Sequence, residues 1–111
     1  MTIDIGGVLI KTDPEGYLED PADWSEDAAC ELARTENVEL GEDHWKVIRF
    51  MRAFHEEHQV AADVRHVTRH LKEEHGKEDA RKLLFDLFPY GYVKQACKIA
   101  GMRKPRGWST G

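Results

Sequence analysis

Apolar and polar residues alternate over Thr2–Ile5 and again over Val8–Lys11, with Gly6-Gly7 between them. Period two marks extended chain, and a two-glycine loop supplies the positive φ of a primed turn, so these residues are predicted to form an antiparallel hairpin. Asp13-Pro14-Glu15-Gly16 reads as a second turn, after which Gly16-Tyr17-Leu18 is expected to add a third short strand. From Ser25 the period becomes helical. Ser25 can cap a helix over Glu26–Thr35, whose leading Glu26 and Asp27 suit the positive end of the helix dipole. A second helix is predicted over residues 42–58, where Trp45, Ile48, Met51 and Phe54 recur every third position as one buried stripe. Residues 61–75 place Val64, Val67 and Leu71 at helical spacing, and Gly76 can end that helix. Residues 77–87 bury Ala80, Leu83, Leu84 and Leu87, and the chain turns at Phe88-Pro89-Tyr90-Gly91. A fifth helix over residues 92–100 sets Val93, Ala96, Cys97 and Ala100 on one side and Lys94 and Lys98 on another, with Gly101 as its stop. Residues 102–111 carry Pro105 and no apolar period, and read as an extended arm. The expected class is α+β: one domain over residues 1–111, with a small β-meander (1–20), an array of about five helices (25–101) and a flexible C-terminal arm (102–111).

Composition changes this picture little. A chain of 111 residues suits one domain with a modest core. No apolar run reaches the ~20 residues of a membrane span, and Met1-Thr2-Ile3-Asp4-Ile5 lacks the basic start of a secretion signal, so a cytoplasmic protein without membrane contact is expected. Cys30 and Cys97 are too few for a disulfide framework or a thiolate zinc site, which leaves single-thiol chemistry.

Charge changes it more. The net charge is −5, yet residues 1–40 hold eleven acids against Lys11 and Arg34, whereas residues 94–111 hold Lys94, Lys98, Arg103, Lys104 and Arg106 and no acid. Two solvated faces explain this, and so does a C-terminal end that meets an anionic partner.

The six histidines raise the question of metal. His55 and His58 are three apart and His66 and His70 four apart, as zinc ligands on a helix can be, but all lie among Glu, Arg and Lys, and no metal site is expected. Arg65, Arg69 and Lys72 line one side of the third helix and suit contact with a nucleic acid or a protein partner; Asp63, Glu73 and Glu74 on the same segment favour a solvated face. Cys30 reads as a small, semi-buried structural thiol. Cys97 has cations around it that favour thiolate and a helix C-terminus that disfavours it, so packing and nucleophilic roles both stand open on local chemistry.

The run Leu87-Phe88-Pro89-Tyr90-Gly91, then Lys94-Gln95-Ala96-Cys97-Lys98-Ile99-Ala100-Gly101 and Lys104-Pro105, closely resembles the C-terminal signature of the DsrC/TusE sulfur-relay family, which includes the dissimilatory sulfite reductase gamma subunit. Glu15-Gly16-Tyr17-Leu18, Asp23-Trp24, His44-Trp45, Ile48, Phe50 and Arg65 extend the resemblance over essentially the whole chain. It implies a β-meander on a helical array with a C-terminal arm, sulfur-transfer or sulfite-reductase-type partner proteins, and no cofactor. It also implies a chemistry: members carry sulfur as a persulfide on the next-to-last residue of the arm. A second cysteine matching Cys97 pairs with it in sulfite reduction or sulfur oxidation, and is lost in members serving transfer-RNA thiolation.

This sequence has the reverse pattern. Eleven residues beyond Cys97, where the resemblance places the arm cysteine, stands Trp108, and no cysteine follows Cys97. An indole cannot hold a persulfide. The expectation is therefore a regulatory or protein-binding member, docking through Lys94, Lys98, Arg103, Lys104, Arg106 and Trp108, with DNA contact through Arg65 and Arg69 as a weaker option. The alternative is a relay in which Cys97 alone accepts sulfur, which leaves open whether the chain is an enzyme.

Overall fold

A computed structural model of the chain describes residues 1–105. Strands β1 (Thr2–Ile5) and β2 (Val8–Lys11) pair antiparallel in the register Ile5↔Val8 and Ile3↔Ile10. Gly6 and Gly7, at φ 57° and 92°, close the two-residue loop. That register turns Ile3 and Ile10 toward the core, whereas Leu9, opposite Asp4, stays exposed, as does Val8 beside the turn. The meander stops short of a third strand. The Asp13 carboxylate accepts from the backbone N–H groups of Glu15 and Tyr17, and Asp13 donates its own to the Tyr17 carbonyl, so the loop closes too tightly for more than one bridge, Thr12↔Leu18. A short 3-10 turn, Pro21–Asp23, follows under an Asp20 cap; no periodicity marks so brief an element.

Helix α1 (Glu26–Thr35) starts where Ser25 accepts from the Ala28 N–H, and it buries Ala28, Ala29, Leu32 and Ala33. Helix α2 (Glu42–His58) buries Val47, Ile48 and Met51. Trp45 and Phe54 lie at the edge of the core and are half-buried, because a repeat of three drifts around a helix of 3.6 residues per turn. Helix α3 (Val64–His75) begins later than its apolar spacing predicts: Asp63 accepts from the N–H groups of Arg65 and His66, an N-cap that fixes the start at Val64. It ends at Gly76 in the left-handed conformation, and the Lys77 N–H then closes back on the Leu71 carbonyl. That closure uses residues expected to open the next helix, so α4 spans only Ala80–Leu87. The last helical segment, α5 (Tyr92–Cys97), is π-helical. The pairs α2–α3, α3–α4 and α2–α5 pack together, and β1 lies against α1.

Candidate functional site

Cys97 sits in the most heavily buried stretch of the chain. Tyr92, Val93, Gln95, Ala96 and Cys97 of α5 are all buried, as are Ile99, Ala100 and Met102 beyond it. Gln95 is polar and satisfied: its amide donates to the Glu36 carbonyl at 3.4 Å and accepts from the Tyr90 N–H at 3.1 Å. An α-helix sets residues five apart roughly 140° away from each other, whereas the wider π turn brings them nearer one side. Tyr92 and Cys97 are five apart, and the Tyr92 hydroxyl is in hydrogen-bonding reach of the thiol. That hydroxyl also donates to the Ala62 carbonyl at 2.6 Å. The hydrogen bond from Tyr92 lowers the Cys97 pKa, but loss of solvent outweighs it and pushes the thiol from 9.0 up to about 12. Cys97 is 0% exposed. At neutral pH it is a covered, protonated thiol, and burial rather than sequence neighbourhood sets its state.

The stop after α5 is equally built. The Met102 N–H donates to the Cys97 carbonyl and the Gly101 N–H to the Lys98 carbonyl, both at 3.0 Å, which is the Schellman pattern. Gly101 has φ +77°, and a Cβ there would stand 2.4 Å from Cδ1 of Trp24. Glycine thus permits both the turn and the approach of Trp24, whose indole N–H donates to the Ile99 carbonyl at 2.9 Å. The Arg52 guanidinium lies 4.6 Å from the centroid of the Trp24 ring and donates to the Ala100 carbonyl at 3.2 Å. From the other side the Tyr17 hydroxyl donates to the Val93 carbonyl at 3.1 Å. The segment bearing Cys97 is therefore clamped from the loop after β2, from the turn before α1 and from α2. The aromatic residues of that clamp, Tyr17 and Trp24, belong to the family resemblance, but nothing in their local spacing joins them to Cys97.

The cations near Cys97 in sequence are directed elsewhere. Lys98 forms an ion pair with Glu36 at 3.0 Å and lies 5.1 Å from the centroid of the Tyr17 ring. Lys94 and Arg103 are exposed, and Lys104 pairs with Glu15 at 2.7 Å on the surface. Arg103, Lys104 and Pro105 line a cleft of about 650 Å³ together with Pro21, Arg52 and Val60. Arg106 and Trp108 lie outside the described residues. Arg65 and Arg69 project from α3, Arg65 pairing with Asp63 at 3.1 Å. Cys30 is exposed rather than semi-buried: it falls between Ala29, which faces the core, and Glu31, one step off the buried side of α1.

The histidines separate by role. His44 accepts from the Gly41 N–H at Nδ1, so Nε2 carries the proton and donates to the Leu87 carbonyl at 3.0 Å, tying α2 to α4. His66 faces Asp63 and Phe54. His70 stacks on Phe50 with ring centroids 4.3 Å apart, and its Nε2 lies 3.1 Å from that of His75. Burial first, and His75 second, hold the His70 pKa below its ordinary value. No hydrogen bond, ion pair or ring contact joins His55 to His58 or His66 to His70, and no group of three or more metal-type ligands occurs among the described residues.

A two-stranded hairpin on a helical array, with a glycine-stopped terminal helix holding one sealed thiol, defines a small α+β protein built around its C-terminal segment. Residues 4–108 match the family model described as DsrC like protein, and the chain belongs to that family. It is 41% identical over 104 residues to the sulfurtransferase TusE of Yersinia pestis, covering 93% of this chain and 95% of that one. TusE of Sodalis glossinidius is 43% identical over 104 residues, covering 93% and 96%. Among solved structures, the oxidized gamma subunit of the dissimilatory sulfite reductase (DsrC) from Archaeoglobus fulgidus superimposes with a TM-score of 0.89 at 34% identity, covering 98% of this chain and all of that one. DsrC of Allochromatium vinosum gives 0.86 at 43% identity, covering 97% of each chain. No helix among the described residues is long and apolar enough to cross a membrane.

Proposed function

We propose that this chain is a regulatory, protein-binding member of the sulfur-relay family, acting by contact with sulfur-transfer or sulfite-reductase-type proteins in the cytoplasm rather than as the persulfide carrier. The observation that carries this reading is the sealed thiol. Cys97, the only cysteine in the family-like C-terminal run, is 0% exposed and its pKa is about 12, so no thiolate is presented to a donor. Trp108 takes the place where the family resemblance expects the carrier cysteine, and it suits docking instead, since tryptophan is enriched among binding hot spots. The test is intact-mass and peptide mass spectrometry after incubation with a persulfide-loaded donor protein. The expected result is no gain of ~32 Da per sulfur on Cys97, with the donor still bound in a calorimetric titration. Sulfur on Cys97 that is passed on to an acceptor thiol overturns it.

One observation favours the second reading, a relay through Cys97 alone. The Tyr92 hydroxyl lies in reach of the thiol and lowers its pKa, so a partner that opened the α5 segment and freed that hydroxyl from the Ala62 carbonyl would let it donate to a thiolate. A kinetic trace separates the two readings: sulfur uptake that needs a partner protein present supports the relay.

A further inference from the structure

The fold brings Arg81 of α4 beside the cations that α3 lines up along one side. Arg65, Arg69 and Lys72, spaced four and three apart on α3, line a cleft of about 440 Å³ with Arg81 from the first turn of α4. Arg65 is paired with Asp63, but no ion pair or hydrogen bond engages the side chains of Arg69, Lys72 or Arg81 among the described residues. Arg65 and Arg81 also border an adjoining cleft of about 650 Å³, floored by Leu84, Phe88 and Val93. At its rim stands Phe85, one turn after Arg81 and 66% exposed although the same helix buries Ala80 and Leu84. A large aromatic held in water beside the unpaired Arg81 guanidinium is the composition of an interface, where Phe and Arg are enriched.

From this we infer that the α3–α4 face docks an acidic, apolar-bearing segment of a protein partner, its carboxylates meeting Arg69, Lys72 and Arg81 and an apolar side chain packing on Phe85 and the floor beside it. Charge complementarity selects the occupant. Glu78 and Asp79 line the same basic cleft and the chain is net negative, so a continuous phosphate backbone would meet carboxylates that discrete peptide acids can avoid. The apolar floor offers nothing to a phosphodiester. Cys97 itself does not line this surface, so the inference stands whether or not that thiol carries sulfur.

The probe is a fluorescein-labelled synthetic helix with Leu and Phe on one face and Glu on the other, titrated with the full chain by fluorescence anisotropy. Controls are the same helix with Gln for Glu, the same helix with Ser for Leu and Phe, and a labelled DNA duplex of about 20 base pairs, long enough to span the face. Specific binding of the acidic amphipathic helix is expected, weakening with salt. Affinity should fall about tenfold or more in the double variant Arg69→Glu, Arg81→Glu, and several-fold in Phe85→Ala, whose exposed positions leave the melting temperature near that of the parent. Backbone amide shifts on binding should cluster on α3 and α4. Equal affinity for parent and variants, shifts confined to α5 and the residues after it, or tighter binding of the DNA duplex would overturn the inference.

Discussion

At the scale of single residues, position in the fold overrides position in the sequence. Cys30, read from its neighbours as semi-buried, is open to solvent, and Cys97, whose neighbours left packing and nucleophilic roles open, is sealed. A chromogenic disulfide reagent at neutral pH should therefore titrate one thiol quickly and the second only on the timescale of local opening, with two equivalents released at once in concentrated guanidinium. Cys30→Ser should abolish the fast phase; a fast phase that survives it would mean Cys97 is open. The same burial makes stability depend on alkaline pH. The Cys97 pKa is raised from 9.0 to about 12, so below about pH 9 the thiol is protonated whether or not the chain is folded, and its contribution is fully present. Above that, the unfolded chain releases the proton while the folded chain keeps it, and unfolding free energy should fall by up to about 1.4 kcal/mol per pH unit until pH 12. Tyr17, raised mainly by burial from 10.0 to about 12, adds a second such loss above pH 10. Denaturant titrations of the parent and of Cys97→Ala between pH 8 and pH 11 check this, the variant being expected to show the shallower slope. At Gly101 an alanine would combine a left-handed backbone with a Cβ pressed into Trp24, so Gly101→Ala should cost about 2–4 kcal/mol, read from chemical denaturation.

At the scale of elements, what was legible in the sequence followed how local its cause was. Helices α1 and α2 match their expected bounds because Ser25 caps the first and an uninterrupted amphipathic run carries the second. The hairpin was legible for the same reason, since two glycines set its loop. The start of α3 was not: Ala61 and Ala62 have good helix propensity, but the Asp63 side chain takes the first free N–H groups and Tyr92 takes the Ala62 carbonyl, a contact made across thirty residues. The π turn of α5 was likewise invisible, because apolar spacing alone does not separate an α turn from a π turn over six residues. The family resemblance located the Cys97 segment, yet the clamp of Tyr17, Trp24 and Arg52 that holds it depends on contacts between distant parts of the chain. The cap gives an element-scale prediction. Asp63→Ala should remove the side-chain acceptor of two backbone N–H groups and the partner of Arg65, lowering stability by about 1 kcal/mol, whereas Asp63→Asn should recover most of it. Paired thermal melts distinguish the cap from the ion pair, since asparagine keeps the first and loses the second.

At the scale of the whole molecule, the charge asymmetry acquires a layout. Part of the basic C-terminal cluster is spent on acids of the N-terminal third, Lys98 on Glu36 and Lys104 on Glu15, while Arg69, Lys72 and Arg81 stand unpaired around one cleft on α3 and α4. These ion pairs span more than sixty residues of sequence and hold the last described segment against the rest of the fold. Exposed as the Lys104 pair is, it contributes little energy, but it biases the path along which the chain leaves Met102. This bears on the proposed non-carrier role, in which Trp108 stands at the position where the resemblance expects a carrier thiol. Trp108→Cys puts a thiol eleven residues from Cys97, and an extended chain of that length spans up to ~36–40 Å, so reach is not the obstacle. The obstacle is burial: Cys97 is covered, and its sulfur must come within ~2.05 Å of the new one. Mild oxidation of the Trp108→Cys, Cys30→Ser variant should therefore join Cys97 to the introduced thiol slowly in buffer, and faster with Tyr92→Phe, which removes the hydroxyl bonded to Ala62 and in reach of Cys97. Non-reducing peptide mapping over time measures both rates. If the bond forms as fast in the presence of Tyr92 as in its absence, the seal over Cys97 opens by itself, and the proposed non-carrier role then rests on Trp108 at the expected carrier position alone.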